Sequence, residues 1–231
     1  EIQNYFGTSN CSELDQDECE ISVNCEWTIN ICMESIESSE INTPHFIVMD
    51  EKSGYWFVTT IASGYIAQYS LVDNQLIDAY FVGDAPAILT IDTDRKKIYC
   101  SRMMSMNGMG DMMPSGESQI IHSLTYSPTG LMQSEINEYE IDSPAPHGIA
   151  INHDGTEIYT ASNTADWLYK IIPETGEIIG VVMDTEISNP SEIETHRLKP
   201  IQCLSVSDSL LFVTCSGGLW VDPWTGQQDQ I

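Results

Sequence analysis

The sequence predicts an all-β chain of four-stranded antiparallel propeller blades, three complete and a fourth in part, belonging to a larger ring. Three observations carry this prediction. First, a unit opening on a proline recurs at Pro44, Pro86, Pro146 and Pro200. Seventeen residues align without a gap: PHFIVMDEKSGYWFVTT, PAILTIDTDRKKIYCSR, PHGIAINHDGTEIYTAS and PIQCLSVSDSLLFVTCS. Second, each unit reads as apolar run, polar turn, apolar run. The second run carries bulky residues side by side: Trp56-Phe57, Ile98-Tyr99, Ile158-Tyr159 and Phe212-Val213. Adjacent bulky residues mean a strand buried on both faces, as when sheets stack face to face. Third, the runs are short and rich in β-branched and aromatic residues, which excludes helical repeats and fits blades.

The elements follow in chain order. Residues 1–36 hold Cys11, Cys19, Cys25 and Cys32 in an acidic stretch. Their spacing lacks the C-x-x-C pairs of a zinc site, so they read as a small module with two disulfides. Four cysteines allow three pairings, and the sequence does not choose among them. Cys25-Glu26-Trp27 resembles the Cys-x-Trp of small extracellular modules of the plexin-semaphorin-integrin kind. Residues 37–43, ESSEINT, form a linker, and residues 44–231 the blades.

After its first two strands each unit adds a third: YIAQYSL, QIIHSLT, DWLYKII and GLWVDPW. Turns follow at VDN, SPTG, PETG and PWTG. A fourth strand comes next in three units: QLIDAYF, MQSEINEYEI and EIIGVVM. A blade buries both faces only with a neighbour on each side, so a further segment or a second chain is expected to complete the ring. In the fourth unit a three-residue turn centred on Ser209 would set Cys203 opposite Cys215, within disulfide reach. A two-residue turn would break that match by one position. Cys100, on another blade, is expected to be a free thiol.

GDAPAILTIDTDRKKIYCS and PHGIAINHDGTEIYTASNTADWLYKIIPETGEIIG resemble the YVTN-type β-propeller repeat over about residues 44–231. That repeat pairs a Pro-x-Gly-hydrophobic strand start with an Asp-Gly turn, an aromatic-rich second strand and a Thr-Gly turn. In this chain the Asp-Gly turn survives only at Asp154-Gly155. The resemblance implies a propeller serving as a lactonase-like enzyme, a surface protein or a redox-protein domain, and it does not choose among them.

Composition narrows the partners. There are 35 acidic against 8 basic residues, a formal charge of −27. Nucleic acid is excluded, because phosphate binding needs a basic surface. No apolar run is long enough to span a membrane. Cations or basic partners fit better, and the four crowded cysteines point to a secreted, periplasmic or cell-surface protein. The bland alternative for the charge is a solubilising surface.

The candidate site is a methionine cluster. The prolines lie 42, 60 and 54 residues apart, so two units carry insertions. The first insertion is MMSMNGMGDMM, in which Met103, Met104, Met106, Met109, Met112 and Met113 are six of the chain's ten methionines. It lies between second and third strands. DTEISNPSEIETHR, the other insertion, lies between blades, so both emerge at one mouth of the ring, where loops on a rigid scaffold carry function. His45 and His147 directly follow their prolines at that same end. Thioether sulfur is soft and selects Cu(I) over hard cations, and the segment resembles the methionine-rich stretches of periplasmic copper-handling proteins. The expected copper ligands are these methionines with nitrogen from His45, His122 or His147. Against this, the methionines would serve equally as an adaptable apolar lid or a sticky contact for another protein. His122, inside a strand, fits a satisfied core histidine better than a ligand.

Glu192, Glu194 and His196 form a weaker cation-site candidate, better read as solvated. No nucleophile elbow, haem site, phosphate loop or EF-hand loop is present. A lactonase-type hydrolase, with Arg102 and Asp111 at its channel, is the alternative function, and a structural or protein-interaction scaffold another.

Overall fold

The computed structural model describes residues 25–28, 31–34, 43–83, 85–103, 119–143, 145–162, 166–183, 198–207, 209–217, 220–221 and 228–229. The chain divides into two compact units, Glu1–Glu40 and Ile41–Ile231. In the first, β1 (Cys25–Thr28) and β2 (Ile31–Glu34) form an antiparallel hairpin. Cys25 stands opposite Glu34 and Cys32 opposite Trp27, so these two cysteines are diagonal neighbours in the ladder, not facing ones. Cys11 and Cys19 lie outside the described residues.

The second unit is a series of antiparallel meanders. The first sheet is β3 (Pro44–Asp50), β4 (Tyr55–Thr60), β5 (Tyr65–Ser70) and β6 (Leu76–Phe81). The second is β7 (Pro86–Asp92), β8 (Lys97–Arg102), β9 (Ile120–Ser127) and β10 (Gly130–Glu140). The third is β11 (Pro146–Ile151), β12 (Ile158–Ser162), β13 (Trp167–Ile172) and β14 (Glu177–Val182). In the fourth unit β15 (Pro200–Ser207) pairs with β16 (Leu210–Cys215), and β17 (Trp220–Val221) with β18 (Gln228–Asp229). Each unit's first strand begins on its proline, as the repeat requires.

The unit junctions share one device. The residue before each proline, Thr43, Ala85, Ala145 or Lys199, has a positive φ of 58, 50, 51 or 50°. Such a conformation costs an L residue about 1 kcal/mol. At Ala85 and Ala145 it stands between the outermost strand of one blade and the innermost strand of the next. The carbonyls of Thr43, Ala85 and Lys199 then accept from the N–H groups of Ile61, Met103 and Ser216 at 3.0, 2.9 and 2.9 Å. Directly after each proline the ladder slips: at Pro44/Phe46, Pro86/Leu89, Pro146/Gly148 and Pro200/Gln202. This bulge leaves His45, Ala87, His147 and Ile201 out of their own ladders.

The second strand behaves as its bulky pairs demand. Ile98 packs with Phe57, Ile66, Leu89 and Leu124 between blades 1 and 2. Its neighbour Tyr99 packs with Ile121, Ile149, Ile158 and Tyr169 between blades 2 and 3. At the other end of the blades, the turns after the first strands staple neighbours. Lys96 reaches Asp50 at 2.9 Å and Ser53 at 2.6 Å, and the Tyr126 hydroxyl donates to Asp50 at 2.8 Å. Burial pushes the Asp50 carboxyl up, but the hydrogen bonds from Lys96, Ser53 and Tyr126 outweigh it and hold the group below its usual range.

Blade 4 corrects the gapless alignment. Pro44, Pro86 and Pro146 face Thr60, Arg102 and Ser162, whereas Pro200 faces Cys215, one position earlier in its unit. The shortened turn, with a second slip at Ser205/Ser207, moves every later residue by one. The residues matching Ile98 and Tyr99 are therefore Leu211 and Phe212. The match to Thr59 and Ser101 is Thr214, not Cys215. The expected Cys203–Cys215 disulfide fails for the same reason. Cys203 faces Val213, and both cysteines are free thiols, as is buried Cys100. Burial pushes the Cys100 thiol up to about 11 and Cys203 up to about 12, so neither is a ready nucleophile.

Candidate functional site

The mouth is built on the bulges. A residue left out of its own ladder turns its carbonyl toward the preceding blade, where a hydroxyl donates to it. Thr59 Oγ1 donates to the Ala87 carbonyl at 2.7 Å, and Ser101 Oγ to the His147 carbonyl at 2.6 Å. The same two hydroxyls accept from the N–H groups of Phe46 and Ile88 at 3.1 and 2.9 Å, which holds each bulge in shape. At the third junction the equivalent residue is Ala161, which has no hydroxyl. There His147 Nδ1 takes over, bonding the Ile201 carbonyl at 2.8 Å.

That bond fixes the histidine's chemistry. A carbonyl only accepts, so Nδ1 carries a proton, and in the neutral tautomer Nε2 is the nitrogen that holds the lone pair. A backbone carbonyl on one ring nitrogen is the usual support of a metal-binding histidine. His45, from blade 1, meets His147 edge-to-face, with ring centroids 6.1 Å apart and planes at 72°. Between them in the repeat stands Ala87, whose small side chain is fully buried. Partial burial, and then the neighbouring His147, lower the His45 pKa, so that imidazole is neutral at neutral pH. Metal–nitrogen bonds of about 2.0 Å put an imidazole centroid roughly 3.2 Å from its ion, so two imidazoles sharing an ion keep centroids within roughly 6.4 Å. The observed pair satisfies that bound.

Met103 leaves the end of β8, one residue beyond Arg102. It is half-buried against the core between blades 2 and 3, alongside Phe46. The root of the methionine segment thus lies two residues beyond Ser101, which holds the His147 carbonyl. Met104, Met106, Met109, Met112 and Met113 lie outside the described residues, as do Asp111, Glu192, Glu194 and His196. Among the described residues no three or more of His, Cys, Asp and Glu gather as a metal cluster.

His122 belongs elsewhere. It sits on β9 with both ring nitrogens engaged: Arg102 Nη2 donates to Nδ1 at 2.6 Å, and Nε2 lies 3.2 Å from Glu138 Oε1. Arg102 itself is fully buried. Its Nε donates to the Ile120 carbonyl at 3.2 Å, and Nη2 also donates to the Val82 carbonyl. One guanidinium therefore joins both roots of the methionine segment to the preceding inter-blade link. Desolvation, and then the Arg102 charge, depress the His122 pKa to about 3. The His122–Glu138 contact is consequently a hydrogen bond from a neutral imidazole, not an ion pair. Sequence reasoning missed this chain of groups; its only trace was a lone arginine ending a strand.

The depressed pKa predicts acid sensitivity. Below the unfolded value near 6.5 the unfolded chain binds a proton that the folded protein refuses, so stability falls as pH drops from 6.5 toward 3. At pH 5 the loss from this group is about 2 kcal/mol. His122→Gln can accept from Arg102 and donate to Glu138 without titrating. Urea unfolding at pH 7.5 and pH 5 should show a smaller acid loss in that variant than in the parent. Parallel losses would remove His122 as the acid-sensitive group.

No protein-family model matches the sequence, and no curated protein matches it. Solved structures do. Streptogramin B lyase superposes with a TM-score of 0.54 at 19% identity, over 81% of this chain and 54% of that one. The β-propeller domain of Swd1 from Myceliophteria thermophila gives 0.55 at 10% identity, over 75% of this chain and 48% of that one. The chain folds as β-propeller blades. A 6-phosphogluconolactonase-like protein from Bacteroides uniformis gives 0.50 at 16% identity, over 81% of this chain and 53% of that one. This propeller chain spans about half the length of the structures it matches. At these identities the likeness is one of fold.

Proposed function

We propose that the propeller mouth binds Cu(I), with His45 and His147 as nitrogen ligands and the methionines from Met103 to Met113 as thioether ligands. The observation that carries this reading is the His45–His147 pair, with His147 Nδ1 committed to a backbone carbonyl, on the blades that flank the start of the methionine segment. Soft sulfur with imidazole is a donor set for Cu(I). The protein on this reading is a YVTN-like binding propeller, secreted, periplasmic or on the cell surface. Residues 1–36 are its disulfide-bonded module. The acidic surface and the four N-terminal cysteines support that location.

Two sets of variants test the site. Met106→Leu, Met109→Leu and Met112→Leu together keep volume while removing sulfur. That triple variant, and His147→Ala separately, should each weaken Cu(I) at least about tenfold, or 1.4 kcal/mol, in competition with a colorimetric chelator. Unchanged affinity in both would end the copper reading. The likeness to streptogramin B lyase and to the 6-phosphogluconolactonase-like protein supports lactonase-type chemistry as a second reading. Lactone turnover by metal-free protein would favour it.

A further inference from the structure

We propose that the outer edge of β10 receives an extended segment of a partner protein that carries lysine or arginine at every second position. The site is a groove of about 560 Å³ on the outer rim between blades 2 and 3. Residues 136–140 of β10 form one wall, and Pro173, Glu174 and Ile178 of blade 3 the other. On the far side of blade 2 the outer strands touch, because the Leu131 N–H of β10 donates to Asp78 Oδ2 of β6 at 2.7 Å. On the groove side buried Tyr139 makes the link, its hydroxyl donating to the Pro173 carbonyl at 3.3 Å. β10 is the outermost strand of its sheet and pairs with β9 alone. Its ladder slips between Met132 and Asn137, then keeps a regular register from Asn137 opposite Ser123 to Glu140 opposite Ile120. Such an edge presents unpaired N–H and C=O groups, a template for one more strand.

Strand parity sets the chemistry of the occupant. Ile136 packs on the core between blades 1 and 2, whereas Tyr139 packs on the core between blades 2 and 3. Alternate residues of β10 therefore face opposite ways. Glu138 and Glu140 share the face of Ile136, and both are exposed. Glu138 Oε1 meets the neutral His122 ring at 3.2 Å, and among the described residues no lysine or arginine pairs with either carboxylate. Glu174 stands on the opposite wall, and no basic residue lines the groove among the described residues. A strand added beside β10 sets alternate side chains against Glu138 and Glu140, where opposite charges stabilise the pairing and like charges oppose it. Its other side chains meet half-buried Pro173 and Ile178. The two carboxylates thus bar an acidic strand and admit a basic one. With 35 acidic residues against 8 basic ones a second copy of this chain is repelled, so the occupant belongs to a different, basic protein.

Fluorescence anisotropy of the whole chain with two labelled peptides of equal composition tests the proposal. One is the alternating Lys-Val-Lys-Val-Lys and the other the block Lys-Lys-Lys-Val-Val. The alternating peptide should bind about tenfold more tightly, because only it keeps its charges on one face of a strand. N-methylation of its valines or of its lysines should abolish binding in one version and spare the other, since only alternate N–H groups of an added strand turn toward β10. Glu138→Gln with Glu140→Gln should weaken the alternating peptide about tenfold while leaving the thermal transition in place. Glu51→Gln with Asp73→Asn removes the same charge from exposed turns of blade 1 and should change the affinity little. Equal affinity for the two peptides would overturn the proposal, because attraction to an acidic surface alone ignores strand parity. Equal losses in the two double variants would overturn it as well.

Discussion

Arg102→Met is expected to lower the stability of the blades by about 3–5 kcal/mol, since each buried polar group left without its partner costs about 1–3 kcal/mol. The arginine is fully buried and donates to the Ile120 carbonyl, the Val82 carbonyl and His122 Nδ1. Methionine fills much of the volume and supplies none of the donors. Arg102→Lys should rescue little, because an ammonium on a flexible stem cannot reproduce the planar fork that serves the Ile120 and Val82 carbonyls and His122 together. Urea unfolding at pH 7.5, away from the His122 titration, is the measurement. A variant within about 0.5 kcal/mol of the parent, the ordinary range of surface changes, would show that the clamp is dispensable. If the copper reading holds, Cu(I) binding should weaken in the same variant, because the guanidinium holds both roots of the methionine segment.

The second large effect is expected at Gly148→Ala, at about 3 kcal/mol, the upper part of the usual cost of overpacking. Gly148 lies in β11 where it passes β15. A Cβ there would meet Gln202 Cα at 2.6 Å and Cys203 N at 2.8 Å. Both are backbone atoms, so no rotamer change relieves the clash and the two inner strands must part. The neighbouring His147–Ile201 bond spans the same junction, so thermal unfolding and Cu(I) affinity should fall together. Gly54→Ala is the control. Gly54 has φ +83° and nothing within 4 Å of an added Cβ, so only backbone strain of about 1 kcal/mol applies. Equal losses at the two glycines would refute the close-approach account.

The blades were legible because each is a local object. A proline opening, two apolar runs and a turn recur in the sequence, and the strands β3, β7, β11 and β15 begin on the four prolines. The third strands fall at Tyr65–Ser70, Ile120–Ser127, Trp167–Ile172 and Trp220–Val221, on the runs that signalled them, the second continuing two residues past its run. The paired bulky residues announced burial on both faces, and Ile98 and Tyr99 bear that out in two separate cores. The position of His45 and His147 after their prolines was enough to bring both to one mouth.

The error at blade 4 has a physical origin. A turn shortened by one residue leaves apolar runs intact on both sides, so a gapless alignment passes through it unnoticed. Strand pairing, however, is absolute about parity: one residue exchanges the faces. Cys215 and Thr214 trade roles on that account, and with them the disulfide expectation falls. His122 was read as either core or ligand, and the core reading prevailed because Arg102, twenty residues earlier, crosses to its ring.

The sequence by itself determined the fold class, the blade boundaries, the acidic surface and the gathering of His45 and His147 at one mouth, because periodicity and composition are properties of neighbours along the chain. Only the tertiary structure decided which nitrogen of His147 is held by a carbonyl, which histidine is locked to an arginine, and where blade 4 turns its aromatic face. Those outcomes depend on single hydrogen bonds and one-residue registers between segments far apart in sequence. Ala161 illustrates the limit. Its missing hydroxyl means nothing until the Ile201 carbonyl is placed beside it, and then it explains why a histidine stands at position 147.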